Sequence, residues 1–296
     1  MKIARQATFL INTYSGSRSV LIFSALILCL SLPGVGHWST PGQDDPAKRS
    51  LTPLQQAIEK QRQRLNSSEV EQRRDALMRL SALRHPEASR AAVPALRDGS
   101  AIVRVTAAAA LQWLPSEEGA GVLIPLLSDK DEFVRQEAAY ALGRTKSRSA
   151  VSPLIERLAQ DKKDGVRGAA AVALGQIGDE TAVVSLAQLL SASSSVPSGK
   201  TKSTNEKNVF VQRAAAVSLG QIGSRAALPA LMAVLEDENT TDDVRREAAR
   251  SLGLIGDPAA EPALRKVLMT RDAYLSSAAH EALRRIARCQ AVTPGL

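Results

Sequence analysis

VRGAAAVALGQIG, residues 166–178, sets the reading of this chain, because close copies of it recur. VRQEAAYALG stands at 134–143, VQRAAAVSLG at 211–220 and VRREAARSLG at 244–253. Weaker copies are VRVTAAAALQ at 103–112 and LSSAAHEALR at 275–284, and a degenerate first copy ends at Leu80. The equivalent leucines, Leu80, Leu111, Leu142, Leu174, Leu219, Leu252 and Leu283, are separated by 31, 31, 32, 45, 33 and 31 residues. A period in this range is the signature of a stacked-repeat protein, in which each unit buries its apolar side only against its neighbours.

The units share one plan. Val134, Ala138, Ala141 and Leu142 fall at i, i+4, i+7 and i+8, the stripe of a helix buried on one side. Glycines follow it at Gly143, Gly175/Gly178, Gly220/Gly223 and Gly253/Gly256, and the second of each pair suits the left-handed residue that ends a helix. A second helix is predicted after each, as at 150–159 or 226–235, with Pro153 and Pro229 in the first turn, where a missing N–H is harmless. The expectation is an all-α, right-handed α-solenoid of about seven helical hairpins, the last one incomplete.

The motif V-R-x-x-A-A-x-A-L-G-x-I-G after a short aspartate-containing turn resembles the HEAT-like repeats of phycobilisome lyases. The resemblance covers residues 67–288. It implies the solenoid fold strongly and function weakly, since such repeats serve in scaffolds, lyases and hydroxylases. It also implies a hydrogen-bonded ladder along the turns between units. Asp98, Asp129 and Asp161 precede Arg104, Arg135 and Arg167 by six residues each, and Asp237 precedes Arg245 by eight. An arginine fork on a carboxylate and on helix-end carbonyls is strong and directional. The other reading of these arginines is an anion-binding strip. Gln212 and Ser276 stand at the arginine position of units five and seven, where the ladder is expected to weaken.

Aromatic residues are 3% of the chain, and alanine takes their place, which suits closely approaching helices. Such an array needs capped ends. Residues 52–66 are predicted to cap the N-terminal end: Thr52 and Gln55 make a capping-box pattern, Pro53 sits at N1, and Leu54, Ile58 and Leu65 form one apolar edge. In the last unit Arg284, Arg285 and Arg288 replace the usual small residues, and residues 289–296 are left as a tail.

Residues 1–36 are of a different kind. Lys2, Arg5 and Arg18 precede the uncharged run Val20–Leu32, and Pro33, Gly34, Val35 and Gly36 follow. That order predicts a secretory signal cleaved after Gly36, or an N-terminal membrane anchor, with 37–51 as a linker. The run of 13 residues is short for a span, which needs about 20. Either way the repeats are expected outside the cytoplasm, periplasmic or secreted. If the signal is removed, Cys289 remains without Cys29, so no intramolecular disulfide forms. The net charge of +8 permits anionic surfaces, but the lack of interleaved aromatics argues against nucleic acid. The long interval between Leu174 and Leu219 places an insertion at 191–208, read as a mobile polar loop, either tolerated or a binding element.

Chemistry has few candidates. The histidines are His37, His85 and His280, and the single His-Glu pair, His280–Glu281, cannot supply a di-iron site like that of deoxyhypusine hydroxylase. His280 reads most simply as a polar cap residue. No cysteine cluster, phosphate-binding glycine loop or Ser/His/Asp set is visible, so neither a metal nor another cofactor is expected. Trp113 is either a packing residue or an anchor for a partner. The function expected is an extracytoplasmic scaffold without catalysis, binding a protein or peptide across a concave face lined by the second helices. Glu156, Arg157 and Gln160, with Arg265 and Lys266, stand on their outward positions. The alternative is a bilin-lyase-like or other HEAT-repeat enzyme, which the resemblance also allows.

Overall fold

The first helix starts where the capping box predicts. Thr52 Oγ1 accepts from the Gln55 N–H at 3.2 Å, and Gln55 Oε1 accepts from the Thr52 N–H at 3.0 Å. This helix, α1 (Pro53–Leu65), buries Ile58 and packs Leu54 and Leu65 against the core. The computed structural model describes residues 51–191 and 202–292, so residues 20–32 and their targeting role lie outside the described residues.

Six helical hairpins follow α1. They are α2 (Val70–Ala82) with α3 (Pro86–Ala92), α4 (Ala101–Ala110) with α5 (Ser116–Leu123), and α6 (Glu132–Thr145) with α7 (Val151–Gln160). Next come α8 (Asp164–Ile177) with α9 (Val183–Ser191), α10 (Lys202–Ile222) with α11 (Leu228–Glu236), and α12 (Asp242–Ile255) with α13 (Glu261–Lys266). A single long helix, α14 (Ala273–Val292), completes the array, and no strand occurs among the described residues. The fold is an all-α solenoid.

Local chemistry punctuates each hairpin. Gly178, Gly223 and Gly256 end the first helices with φ of 75°, 73° and 71°. The Gly178 and Gly256 N–H groups donate back to Leu174 and Leu252 carbonyls at 3.0 Å. Unit three has Lys146 at this position, left-handed at φ 55°. One residue further on, Ser147, Asp179, Ser224 and Asp257 each accept a backbone N–H two residues ahead, which opens the turn into the second helix.

Leucine carries the core and small residues set its spacing. Leu80, Leu111, Leu142, Leu174, Leu219 and Leu252 are fully buried, while Leu283, in the last unit, is only partly so. A Cβ on Gly143 would stand 2.8 Å from Ala173 Cα, one on Gly220 2.8 Å from Ser251 Cα, and one on Gly253 2.7 Å from Ala282 Cα. Only glycine allows neighbouring first helices this approach. The second helices make far sparser contact with one another. Neighbouring first helices are thus the closely packed side of the array.

The polar insertion also differs from its reading as a loop over 191–208. Ser191 closes α9, and residues 202–208 are helical, continuous with α10; 192–201 lie outside the described residues. The apolar stripe of 209–222 nucleates this helix, and adding residues to a formed helix is far easier than starting one. A low apolar content therefore did not prevent helix here.

Candidate functional site

The arginines and aspartates meet across units. Arg135 Nε and its second terminal nitrogen donate to the two carboxylate oxygens of Asp161 at 2.8 and 3.0 Å. Its other terminal nitrogen donates to the Asp129 carbonyl at 2.9 Å. Arg104 forks on Asp129 in the same way and bonds the Asp98 carbonyl, and Arg73 forks on Asp98. Each aspartate also accepts a turn N–H: Ser100 on Asp98, Asp131 on Asp129, Lys163 on Asp161. The six-residue spacing thus marks the carbonyl contact, while the carboxylate partner belongs to the next unit. Arg73 was not among the predicted residues, because the first copy of the motif is degenerate and reads Gln72-Arg73 for Val-Arg.

Because the forks point forward, they stop one unit earlier than Gln212 suggested. Arg167 finds no aspartate at the next turn, where Glu206 lies within α10, and donates instead to the Leu158 carbonyl and Asp164. Arg245 likewise donates to the Leu235 carbonyl, and Ser276 donates to Leu268. Asp237 accepts from Asn239 and Thr240 within its own turn. Arg246, not Arg245, bonds the following carboxylate, Asp272, at 2.8 Å. These side chains are engaged with the fold, which speaks for structure over an anion strip.

The five second-helix residues are Glu156, Arg157 and Gln160 on α7 and Arg265 and Lys266 on α13. Arg157 bonds Glu156, its neighbour in sequence. Arg265 bonds Glu261 at 2.8 Å, and Lys266 reaches Glu236 of the preceding second helix at 2.9 Å. Gln160 is exposed. Four of the five thus have intramolecular partners.

The first-helix side is richer. Phe133 is 63% exposed and Tyr274 72%, and Ile102 and Phe210 are also exposed. All four occupy one equivalent position, the residue before the Val-Arg pair or its counterpart. Phe210 leans over Gly168, where a Cβ would collide with its ring. Between α12 and α14 lies a groove of about 400 Å³ whose lining includes Arg250, Leu254, Tyr274, Ala278, Glu281 and Arg285. A second, smaller hollow continues it past Arg250 and Tyr274 to Arg213 and Arg246. The Arg246 guanidinium stacks on the Tyr274 ring at 5.2 Å, which holds the ring beside the groove. Trp113, 38% exposed, sits in the turn after α4.

The family model for HEAT repeats matches residues 58–143, 120–197 and 202–288. The chain belongs to the HEAT-repeat family. This HEAT-repeat chain is similar to the solved complex of CpcE and CpcF of phycocyanin lyase from Nostoc sp. PCC7120, at 26% identity over 86% of this chain and 99% of that one, TM-score 0.47. It is also similar to human deoxyhypusine hydroxylase, at 21% identity over 79% of this chain and 97% of that one, TM-score 0.38. No curated protein matches it. At these TM-scores neither likeness bears on activity. Among the described residues no group of three or more His, Cys, Asp or Glu side chains is placed to hold a metal ion. His280 is exposed on α14. Among the described residues no helix is long and apolar enough to cross a membrane.

Proposed function

We propose that this HEAT-repeat chain is an extracytoplasmic, non-catalytic scaffold that holds a protein or peptide against the exposed side of its first helices. The observation that carries the reading is the set of apolar side chains left exposed at one equivalent position, Ile102, Phe133, Phe210 and Tyr274, the last of which lines a groove with Leu254 and Ala278. Exposed apolar groups repeated on one side of a solenoid mark an interaction surface, and aromatic and arginine side chains are what interface centres favour. Export rests on the basic–apolar–small order of residues 1–36, with attachment through residues 20–32 if the segment is kept.

The test compares wild type with a Leu254→Asp/Tyr274→Ala variant and an Arg157→Glu/Lys266→Glu variant in capture from the envelope fraction. The expected result is loss of the captured partner only in the first variant, at an unchanged melting temperature. Loss only in the second would move binding to the second helices and overturn this assignment.

A further inference from the structure

A second groove of about 490 Å³ crosses the C-terminal ends of α6, α8 and α10, lined by Gly143, Arg144, Lys146, Gly175, Gln176 and Gln221. We propose that it binds the backbone of an extended peptide whose acidic side chain pairs with Lys146. The inference rests on the reading of the first-helix side as the binding surface and names the partner's chemistry there.

Three observations carry it. The first is conformational. Lys146, like Arg84 in unit one, occupies the left-handed position that Gly178, Gly223 and Gly256 hold in units four to six, so a basic side chain stands where glycine would be free of strain. The second is electrostatic. The Lys146 ammonium is exposed and has no ion pair among the described residues, whereas Arg144 is bonded to Glu137 at 2.8 Å. The groove therefore holds one unneutralised positive charge, and an acidic ligand complements it.

The third is the pair of amides. Gln176 Oε1 lies over Gly143, and Gln221 Oε1 lies 2.5 Å from where a Cβ on Gly175 would stand. Both side chains are exposed and neither has a hydrogen-bond partner among the described residues. An amide offers both a donor and an acceptor, the complement of one peptide unit. Neighbouring helices stand about 8–10 Å apart, and an extended chain advances about 3.3 Å per residue, so one amide meets every third residue. Leu254 takes the equivalent place one unit beyond Gln221 and begins the apolar groove. An apolar residue roughly eight positions from the acidic one would reach it.

The experiment uses the full-length chain in mild detergent and blocked, fluorescein-labelled decapeptides. Each has Asp-Asp at one end, Leu-Phe at the other and Ser-Gly repeats between, made in both orders, with Lys-Lys versions as controls. Anisotropy should show binding of one Asp-Asp order, weakened by salt, with the Lys-Lys version at least about tenfold weaker. Lys146→Gly should raise the melting temperature, because it removes the left-handed strain, and weaken the acidic peptide roughly tenfold. Gln176→Ala/Gln221→Ala should weaken it with little change in melting. Equal affinity for acidic and basic peptides, undiminished binding by Lys146→Gly, or no binding of either order would each overturn the proposal. The wider reading is judged separately, by whether Leu254→Asp/Tyr274→Ala abolishes partner capture.

Discussion

Arg135 makes four hydrogen bonds: two to the Asp161 carboxylate and one each to the Asp129 and Lys130 carbonyls. Both ends of the ion pair are largely shielded from water. Arg135→Ala leaves the Asp161 carboxylate without its fork and is expected to cost about 2–3 kcal/mol in denaturant unfolding. Arg135→Lys should recover only part, because an ammonium cannot bond two carboxylate oxygens and two carbonyls in one plane. The same groups set an acid limit. The Arg73 fork holds the Asp98 carboxyl below its ordinary value of 3.8. At Asp129 and Asp161, burial pushes the carboxyl up, but the Arg104 and Arg135 forks and the turn N–H bonds outweigh it, and both end below that value. A folded pKa that is depressed contributes stability present above the unfolded value and lost as pH falls through the folded one. The melting temperature should thus hold above pH about 5 and fall below about 4. Asp161→Asn should flatten that fall, and an unchanged acid profile would contradict the assignment. Close packing gives the third case at this scale. A Cβ on Gly220 would stand 2.6 Å from Ser251 Oγ and 2.8 Å from its Cα. Alanine's better helix propensity, about 1 kcal/mol, cannot offset pushing two backbones apart, so Gly220→Ala should destabilise by about 1–3 kcal/mol.

Among the elements, the stack is fastened by two devices. Arginine–aspartate forks join successive units up to Asp161, and beyond the insertion Arg246 reaches Asp272. From α8 to α12 a hydroxyl also joins the first helices directly: Ser218 Oγ donates to the Ala171 carbonyl at 2.7 Å and Ser251 Oγ to the Ala216 carbonyl at 2.8 Å, both buried. The forks lapse at Arg167 because the insertion replaces the aspartate-bearing turn with the start of α10. Arg104→Ala and Ser251→Ala should therefore both destabilise, but unequally. The serine loses one neutral bond, about 1 kcal/mol, from a carbonyl that keeps its helical partner, whereas the arginine leaves a charged group stranded. A serine variant costing as much as the arginine variant would show that the hydroxyl does more than fasten helices. Both devices were partly readable beforehand. The Asp and Arg positions were visible as a period, but their pairing across units was not, because a spacing along the chain does not say which turn lies beside which. The serines carried no signal among many alanines.

For the molecule as a whole, tight first helices and sparse second helices imply unequal protection. Hydrogen exchange should be slowest in α8, α10 and α12, whose backbones are closed in by their neighbours, and faster in α3, α5 and α13, which are short and sparsely packed against one another. The reverse order would contradict this asymmetry of packing.

What the chain determined by itself is whatever is written in short-range periodicity: an alanine-rich amphipathic helix, a glycine in left-handed conformation, a second helix, and seven repetitions of the plan. These follow from backbone sterics and from the burial of one stripe per helix, which act within a few residues. Tertiary structure alone decided which helices pack most closely, which carboxylate each arginine holds, and which outward residues converge. Those outcomes depend on how closely two units approach. Residues such as Gly143 and Ala173 set that distance, lying 30 positions apart with no local mark of their contact. The outward residues of the second helices were legible as exposed. That several are already bonded, Lys266 to Glu236 among them, depends on a neighbouring helix that the local pattern does not contain.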